Sequence, residues 1–192
     1  MATVRLMGLL RRFTSRGEPP PAVVDALALA KGERILAFGV DDNTGAHVVA
    51  TTYALAVVTA ADGPVATGTS TAERSVRRRW LSVDAGSWEP ETATLTVTWA
   101  DGARAAQWSF RDQRTRLPET LRERVQASVV LSTRLTLGDR RQGRVAIRQD
   151  FATRELLAQT ILGRHASADD PEVQAHVQAA LAHLRDQVGL PA

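Results

Sequence analysis

Alternating apolar and polar residues predict a series of short antiparallel strands over the first two thirds of the chain. The expected strands lie near residues 33–40, 46–52, 54–60, 75–83, 86–89, 92–99 and 104–110. Polar turn sequences at 41–45 and 100–102 join two of the pairs, whereas the small polar stretch 61–75 predicts a loop. The four tryptophans fall within this series, and we expect them to pack in the core: Trp80, Trp88, Trp99 and Trp108.

Apolar residues at helical spacing predict three helices. The first covers about 22–31 and ends at Gly32. The second runs from about Pro118 to Leu131 and would close off the sheet. The third begins after Asp170 as its N-cap and ends at Gly189. Its apolar face consists of Val173, Val177, Leu181, Leu184 and Val188.

The last third of the chain predicts a second, smaller unit. Residues 131–137 and 145–147 alternate as a hairpin with one apolar face. The apolar stretch 155–162 is too short for its period to decide between strand and helix. We therefore expect a flexible basic arm over 1–19, a main domain over 20–131, and a small α+β unit over 132–192 packed on it.

Composition limits the class of protein. A chain of 192 residues, 44% of them hydrophobic, is long enough to bury a sizeable core. The absence of cysteine excludes disulfides, thiol catalysis and cysteine-ligated metals, and it fits a reducing cytoplasm, which is the location we expect. No apolar run approaches the roughly 20 residues that cross a bilayer.

The basic character of the chain has a simple interpretation. A pI near 10.4 accompanies a net charge of only +3, and Lys31 is the one lysine. Because arginine stays protonated far above neutral pH, the high pI follows from the choice of arginine. A GC-rich genome explains this composition most simply, and a selected anion-binding surface is the alternative.

Residues 1–16 form a basic amphipathic stretch. Its two sides carry Leu6, Met7, Leu9, Leu10 and Phe13 against Arg5, Arg11, Arg12 and Arg16. One interpretation is an interfacial helix on an anionic membrane, which would hold the protein at the inner face. The alternatives are a frayed tail and a helix docked on its own domain. A secretory signal is not expected, because arginines end the short apolar stretch.

The sequence contains no motif for phosphate-loop, dinucleotide, zinc-protease or serine-hydrolase chemistry. His176 and His183 share a helix face but lie about 10 Å apart at 1.5 Å per residue, too far to hold one metal. Asp41-Asp42 and Asp169-Asp170 are explained by a turn and a helix cap. We therefore expect no catalytic residue, no cofactor and no metal.

Two groups of arginines are candidates for an anion- or partner-binding surface. The first group is Arg77, Arg78 and Arg79, and the second, on one face of the predicted hairpin, is Arg134, Arg144 and Arg148. A solvated sheet face is the alternative interpretation. Nucleic acid is not an expected partner, because binding of single strands also needs exposed aromatic residues.

Seven strands followed by a helix, together with four segments of the chain, resemble a group of uncharacterised actinobacterial proteins with a pleckstrin-homology-like (PH-like) domain. The segments are 32–38, 48–55, 88–99 and 117–129. The resemblance implies an α+β fold, a PH-like antiparallel barrel or sandwich capped by a helix, and it brings no known activity. Lipid-binding members of the wider superfamily carry basic residues in the first hairpin loop. Here that loop contains Asp41 and Asp42, so phosphoinositide binding is not expected.

We therefore expect a non-enzymatic binding or scaffolding module that recognises a protein or peptide through a sheet edge or the barrel loops. A second interpretation is a peripheral membrane protein that uses its amphipathic N-terminus. A third is an enzyme of a class that these motifs do not identify. The sequence leaves open whether the chain forms a homo-oligomer.

Overall fold

The computed structural model describes residues 18–59, 74–111, 113–138 and 141–190. Within these ranges the helices are α1 (Pro21–Leu27), α2 (Leu117–Ser128) and α3 (Pro171–Gln187). The strands are β1 (Ile35–Val40), β2 (His47–Thr51), β3 (Ala54–Thr59), β4 (Arg74–Arg79), β5 (Val83–Glu89), β6 (Thr94–Trp99), β7 (Ala106–Ser109), β8 (Val129–Thr136), β9 (Gln142–Gln149) and β10 (Leu156–Leu162). The predicted amphipathic arm over 1–16 and positions 61–73 of the predicted loop lie outside the described residues.

The strands form three antiparallel sheets, in the orders β1-β2-β3-β4, β5-β6-β7 and β8-β9-β10. This confirms the α+β class. The sheets are open, however, and the barrel does not close among the described strands. The reason lies between β4 and β5, where the sequence predicted one strand over 75–83. A 3₁₀ turn, Trp80–Ser82, interrupts it, and β4 and β5 consequently belong to different sheets.

At the opposite corner, side chains join the first two sheets where β1 and β7 end. The buried Asp41 carboxylate accepts a hydrogen bond from the backbone N–H of Ser109 at 2.8 Å. The N–H of Asp42 donates to the carbonyl of Ser109 at 2.9 Å, and the Asp42 carboxylate accepts from the N–H of Arg111 at 2.6 Å. The acidic pair in the predicted turn therefore also holds two sheets together.

The β1–β4 sheet is covered on both faces, which explains why β2 and β3 are almost continuously apolar. Helix α1 covers one face with Val23 and Leu27. The β5–β7 sheet and α2 cover the other. The main core between them contains Ala37, Val48, Ala50, Leu55, Trp80, Val83, Leu95, Val97, Trp108, Phe110, Leu117 and Leu121.

Helix α1 ends four residues earlier than Lys31, where the sequence placed its last turn. Ala28 adopts a left-handed conformation (φ 44°) and closes the helix. Arg77, from the distant strand β4, donates hydrogen bonds to the carbonyls of Leu27 and Ala28 at 2.6 and 3.3 Å. A local capping motif usually satisfies such carbonyls at the end of a helix. Here the donor is distant in the sequence, so no local pattern indicates where α1 ends.

The other two helices follow their predictions more closely. Helix α2 ends at Ser128 rather than Leu131, and the chain passes directly into β8. Helix α3 begins as predicted, because the Asp170 side chain accepts a hydrogen bond from the N–H of Glu172 at 2.9 Å. Among the described residues, no helix is long and apolar enough to cross a membrane.

In the C-terminal sheet, β9 lies between β8 and β10, so the undecided stretch 155–162 is a strand. One face of the sheet packs against α3 through Val145 and Ile147. The other face of β9 is also buried, at Ala146 and Arg148. The predicted hairpin is confirmed, but its second face is not open to solvent along β9.

The tryptophans differ from one another in burial. Trp80 and Trp108 are buried as predicted, and the indole N–H of Trp80 donates to the carbonyl of Thr51 at 2.9 Å. Trp80 nevertheless sits in the 3₁₀ turn, not in a strand. Trp99 is partly buried, and Trp88 on β5 is 36% exposed, so the core prediction is wrong for Trp88.

Gly39→Ala should lower the free energy of unfolding by about 1–3 kcal/mol, because the added methyl group overpacks a rigid part of the core. A Cβ at Gly39 would lie 2.9 Å from two ring carbons of Phe110 and 3.2 Å from a methyl of Leu117. Urea unfolding measures the change. Ser132→Ala, on an exposed position of β8, is the control and should stay within about 0.5 kcal/mol of the wild type. Equal stabilities for the two variants would contradict the prediction.

Candidate functional site

Arg148, one of the six candidate arginines, is only 2% exposed and faces the turn between the first two sheets. Its Nη1 donates to the carbonyls of Leu81 and Val83 at 3.0 and 2.7 Å. Its Nη2 donates to the carbonyl of Trp80 at 2.9 Å. The guanidinium therefore supplies hydrogen bonds to the backbone of the Trp80–Ser82 turn and of the first residue of β5.

Two side chains complete the surroundings of Arg148. Its Nε donates to the Ser128 hydroxyl oxygen at 3.0 Å, and that hydroxyl donates in turn to the carbonyl of Val125 at 2.6 Å. Gln159 on β10 accepts from Nη1 at 3.2 Å and donates to the carbonyl of Leu81 at 2.9 Å. The planar group is thus surrounded by neutral oxygens, which satisfy its donors without a carboxylate in contact.

The protonation of Arg148 reflects this environment. Burial, together with the like charge of Arg144, lowers the pKa of Arg148 to about 10, while the Asp84 carboxylate acts in the opposite direction. The side chain is still charged at neutral pH. Arg148 therefore belongs neither to an accessible anion- or partner-binding surface nor to a solvated sheet face, because both faces of the central strand β9 are covered.

Two ion pairs flank Arg148 and connect the same parts of the molecule. Arg79 at the end of β4 pairs with Asp150, a buried carboxylate just after β9. Arg144 on β9 pairs with Asp84 at the start of β5. Both pairs link the C-terminal sheet to the strands on either side of the Trp80–Ser82 turn. Arg79, Arg144 and Arg148 thus connect the C-terminal sheet to the first two sheets.

Arg77 and Arg78 have partners within the first part of the fold. Arg77 pairs with Glu33, whose side chain is inaccessible to solvent. Burial acts to raise the pKa of Glu33, but hydrogen bonds from Arg77, Thr51 and the N–H of Ala30 outweigh it and hold the pKa below its usual value of 4.5.

Arg78 lies on the surface beside Trp99 and Asp101. It pairs with the Asp101 carboxylate at 3.1 Å, and its guanidinium carbon lies 4.3 Å from the centre of the Trp99 ring. The predicted run of three arginines therefore divides among different structural roles rather than forming one basic surface.

Arg134 and Arg144 do come together, directly opposite each other on β8 and β9. With Arg141 they line a groove of about 660 Å³. Carboxylates balance much of this charge, since Arg144 pairs with Asp84 and Arg141 pairs with the acidic start of α3 at 2.8–2.9 Å. Arg134 is exposed, and no ion pair to it forms within the described part of the chain.

The histidines of α3 make local contacts. His176 hydrogen-bonds the carbonyl of Glu172 at 2.8 Å, and His183 lies 3.1 Å from the Gln187 amide nitrogen. Among residues 18–59, 74–111, 113–138 and 141–190, no group of three or more His, Cys, Asp or Glu side chains could hold a metal ion.

The open edge of β5 is a site that residue motifs did not reveal. Among the described strands, β5 pairs only with β6, and five successive residues, Ala85–Glu89, are exposed along it. Helix α2 packs so closely on this strand that a Cβ at Gly86 would overlap the Leu121 side chain. Since side chains alternate, Trp88 points to the same side of the sheet as this helix. The sequence contains a partial signal, the small uncharged run Ala85-Gly86-Ser87, but it does not show that this strand lies at an edge.

Comparison with known proteins finds no matching family model, no matching curated relative and no matching solved structure. The geometry of the chain's own residues therefore carries the functional argument.

Arg148→Met should lower the free energy of unfolding by about 3 kcal/mol or more, because it removes several buried hydrogen bonds from a charged donor, at about 1.5–3 kcal/mol each. Urea unfolding followed by circular dichroism measures this loss. Arg134→Met is the matched control, since it removes an exposed arginine from the same hairpin and should cost less than about 0.5 kcal/mol. Similar costs for the two variants would show that the buried hydrogen bonds contribute little.

The Glu33–Arg77 pair should contribute to the stability of the protein at low pH. Because the pKa of Glu33 is lower in the folded than in the unfolded chain, its contribution is complete above pH 4.5 and is lost as the pH falls through the folded-state value. Glu33→Gln should therefore flatten the decline of unfolding free energy below pH 4.5. The measurement is urea unfolding from neutral pH to pH 3, with Glu119→Gln, an exposed site, as the control. A wild-type slope in the Glu33 variant would contradict this.

Proposed function

We propose that the protein is a non-enzymatic binding module that takes an extended segment of a partner protein as an added strand on β5. The observation that carries this proposal is the open edge at Ala85–Glu89. An edge strand presents alternate N–H and C=O groups to solvent, and these can pair with a second chain.

The centre of β5 lacks the features that usually block such pairing. Natural edge strands are commonly protected by charged residues, proline or a strong bulge. Strand β4, another edge, carries its three successive arginines. The centre of β5 is Ala85-Gly86-Ser87, which is uncharged and small enough for close approach of a backbone, and its irregularity lies before Ala85.

The side chains around β5 favour particular residue types in the added segment. Alternate side chains of an added strand would face the α2 side of the sheet, where the half-exposed Trp88 offers an apolar contact. Glu89 and Glu91 are exposed at the far end of the strand. These carboxylates favour a segment with a basic residue at that end. Main-chain hydrogen bonds would give affinity, and these side chains would give selectivity.

The architecture supports the resemblance to PH-like domains, which is part of the proposal. Four strands, then three, then a helix follow one another in the first part of the chain, and α2 packs between the two open sheets. On this interpretation residues 20–131 form the PH-like domain, and 132–192 form a unit docked on it. The acidic first hairpin loop, with its carboxylates bound to β7, supports a function other than phosphoinositide binding.

The membrane interpretation depends on residues 1–16, which lie outside the described residues, and it stays a prediction, as does the cytoplasmic location. The arginines offer less support for an anion-binding function, because Arg77, Arg78 and Arg79 have intramolecular carboxylate partners.

Peptides selected from a random display library against the full chain provide the test. Peptides that bind β5 should lose at least about tenfold in affinity for Trp88→Ala, since buried aromatic anchors in interfaces contribute about 2 kcal/mol or more. Ser87→Lys should weaken them similarly by placing a charge on the free edge. Gln107→Lys, on the other edge of the same sheet, is the control and should bind normally.

Isotope-labelled protein locates the bound peptide independently of mutation. Amide chemical shifts should change over 84–89 and on the adjacent face of α2. Selected peptides that bind both β5 variants as tightly as the wild type, with shift changes elsewhere, would disprove this site.

A further inference from the structure

A small pocket lies where helix α2 packs against β1 and β2. Its volume is about 280 Å³, which is near the lower limit of ligand pockets and suits a small molecule. Helix α2 and its N-cap contribute Arg116, Thr120 and Arg124, whose spacing of i, i+4 and i+8 places them on one side of the helix. Arg34, just before β1, and Thr52, just after β2, line the pocket from the sheet.

The three arginines of this pocket carry charge that the described part of the chain does not balance. Arg34 and Arg116 are exposed, and neither forms an ion pair with a described residue. The guanidinium carbon of the half-buried Arg124 lies 4.9 Å from the centre of the Phe151 ring, a contact that orients the side chain without neutralising it. Among the described residues, one carboxylate lines the pocket, that of Glu123, so two positive charges remain unbalanced.

Two threonine hydroxyls add hydrogen-bond donors to the pocket. Thr120 is only 5% exposed, yet its hydroxyl has no hydrogen-bond partner within the described residues. Buried polar groups of this kind are commonly explained by a bound ion or water. The Thr52 hydroxyl accepts a hydrogen bond from the N–H of Arg34 at 3.2 Å, and the N–H of Thr52 donates to the Arg34 carbonyl at 2.9 Å. These bonds fix the position of Thr52 and leave its hydroxyl proton available to a ligand.

Cations and hydroxyl donors on several sides favour a phosphate group. A phosphate monoester carries a charge of about −1.5 to −2 at neutral pH and three acceptor oxygens, which match the unbalanced charge and the donors of the pocket. The start of α2 adds the favourable field of a helix N-terminus. Leu36, which is 39% exposed, also lines the pocket and offers an apolar contact. We propose that this pocket binds a small phosphate monoester with an apolar substituent, independently of the β5 edge.

Titration of isotope-labelled, full-length protein with phenyl phosphate and with inorganic phosphate tests the proposal, at an ionic strength held constant with chloride. The amide signals of Arg34, Thr52 and α2 should shift together and saturate. Phenyl phosphate should bind more tightly than inorganic phosphate because its ring contacts Leu36. If neither compound gives saturating shifts at these residues up to about 10 mM, well above a millimolar Kd, the proposal is overturned. Tighter binding of inorganic phosphate overturns the assignment to a monoester.

Substitutions on α2 separate specific binding from net charge. Arg124→Gln should weaken phenyl phosphate binding at least about tenfold, through the loss of a hydrogen bond between two charged groups. Arg122→Gln is the matched control, because it removes the same charge from an exposed position of the same helix outside the pocket. Equal losses in the two variants overturn the proposal. Glu123→Gln should instead bind phenyl phosphate more tightly than the wild type, since it removes a repelling carboxylate, and weaker binding would count against the site.

Thr120→Val distinguishes a ligand-binding hydroxyl from one that the fold needs. Valine keeps the shape of the side chain and removes a buried hydroxyl that lacks a partner. The melting temperature in phosphate-free buffer should therefore equal or exceed that of the wild type, while phenyl phosphate binds at least about threefold more weakly. A lower melting temperature, or unchanged affinity for phenyl phosphate, overturns the assignment of Thr120 to the site.

Discussion

The structure depends on one buried charge, the guanidinium of Arg148. The carbonyls of Trp80 and Leu81 in the turn after β4, and of Val83 at the start of β5, accept hydrogen bonds from it, and so does the Ser128 hydroxyl at the end of α2. A buried cation without acceptors is strongly unfavourable, so the turn, the helix end and β9 must occupy one relative arrangement for the chain to fold. Arg148 therefore couples the position of the C-terminal sheet to the opening between the first two sheets.

The open edge of β5 follows from this arrangement. Arg148 and Arg144 hold the first residues of β5, Val83 and Asp84, while no described strand pairs with the outer side of Ala85–Glu89. Helix α2 packs closely against one face of the strand at Gly86. An edge that is already held in strand geometry loses little conformational entropy when a second chain adds to it. The arginine contacts that stabilise the fold therefore also hold β5 in the strand geometry that the proposed binding needs.

Sequence patterns predicted the local features of this fold and missed those with distant causes. The N-cap of α3, the acidic hairpin turn and most strands depend on neighbouring residues, so their signals are local. The end of α1 depends on Arg77, about fifty positions away, and the break at Trp80 depends on the hydrogen bond that Arg148 donates to the Trp80 carbonyl. The alternating sequence pattern grouped Arg148 with the exposed arginines, because it indicates the sheet face on which a side chain lies. It does not indicate whether another part of the fold covers that face. The open edge of β5 likewise depends on which strands pair within the sheet, and no local sequence pattern indicates that.

The arginine content has a structural explanation that changes how the high pI is interpreted. Arg148 uses a planar fork of five donors to reach carbonyls, a hydroxyl and an amide, which the three donors of a lysine could not match in this geometry. Arg77 similarly bridges a carboxylate and a helix end. Five of the six candidate arginines are held by acceptors of the same chain, which leaves Arg134 as the one without such a partner among the described residues. The proposed recognition therefore depends on shape and exposed backbone, which the uncharged centre of the β5 edge, Ala85-Gly86-Ser87, offers.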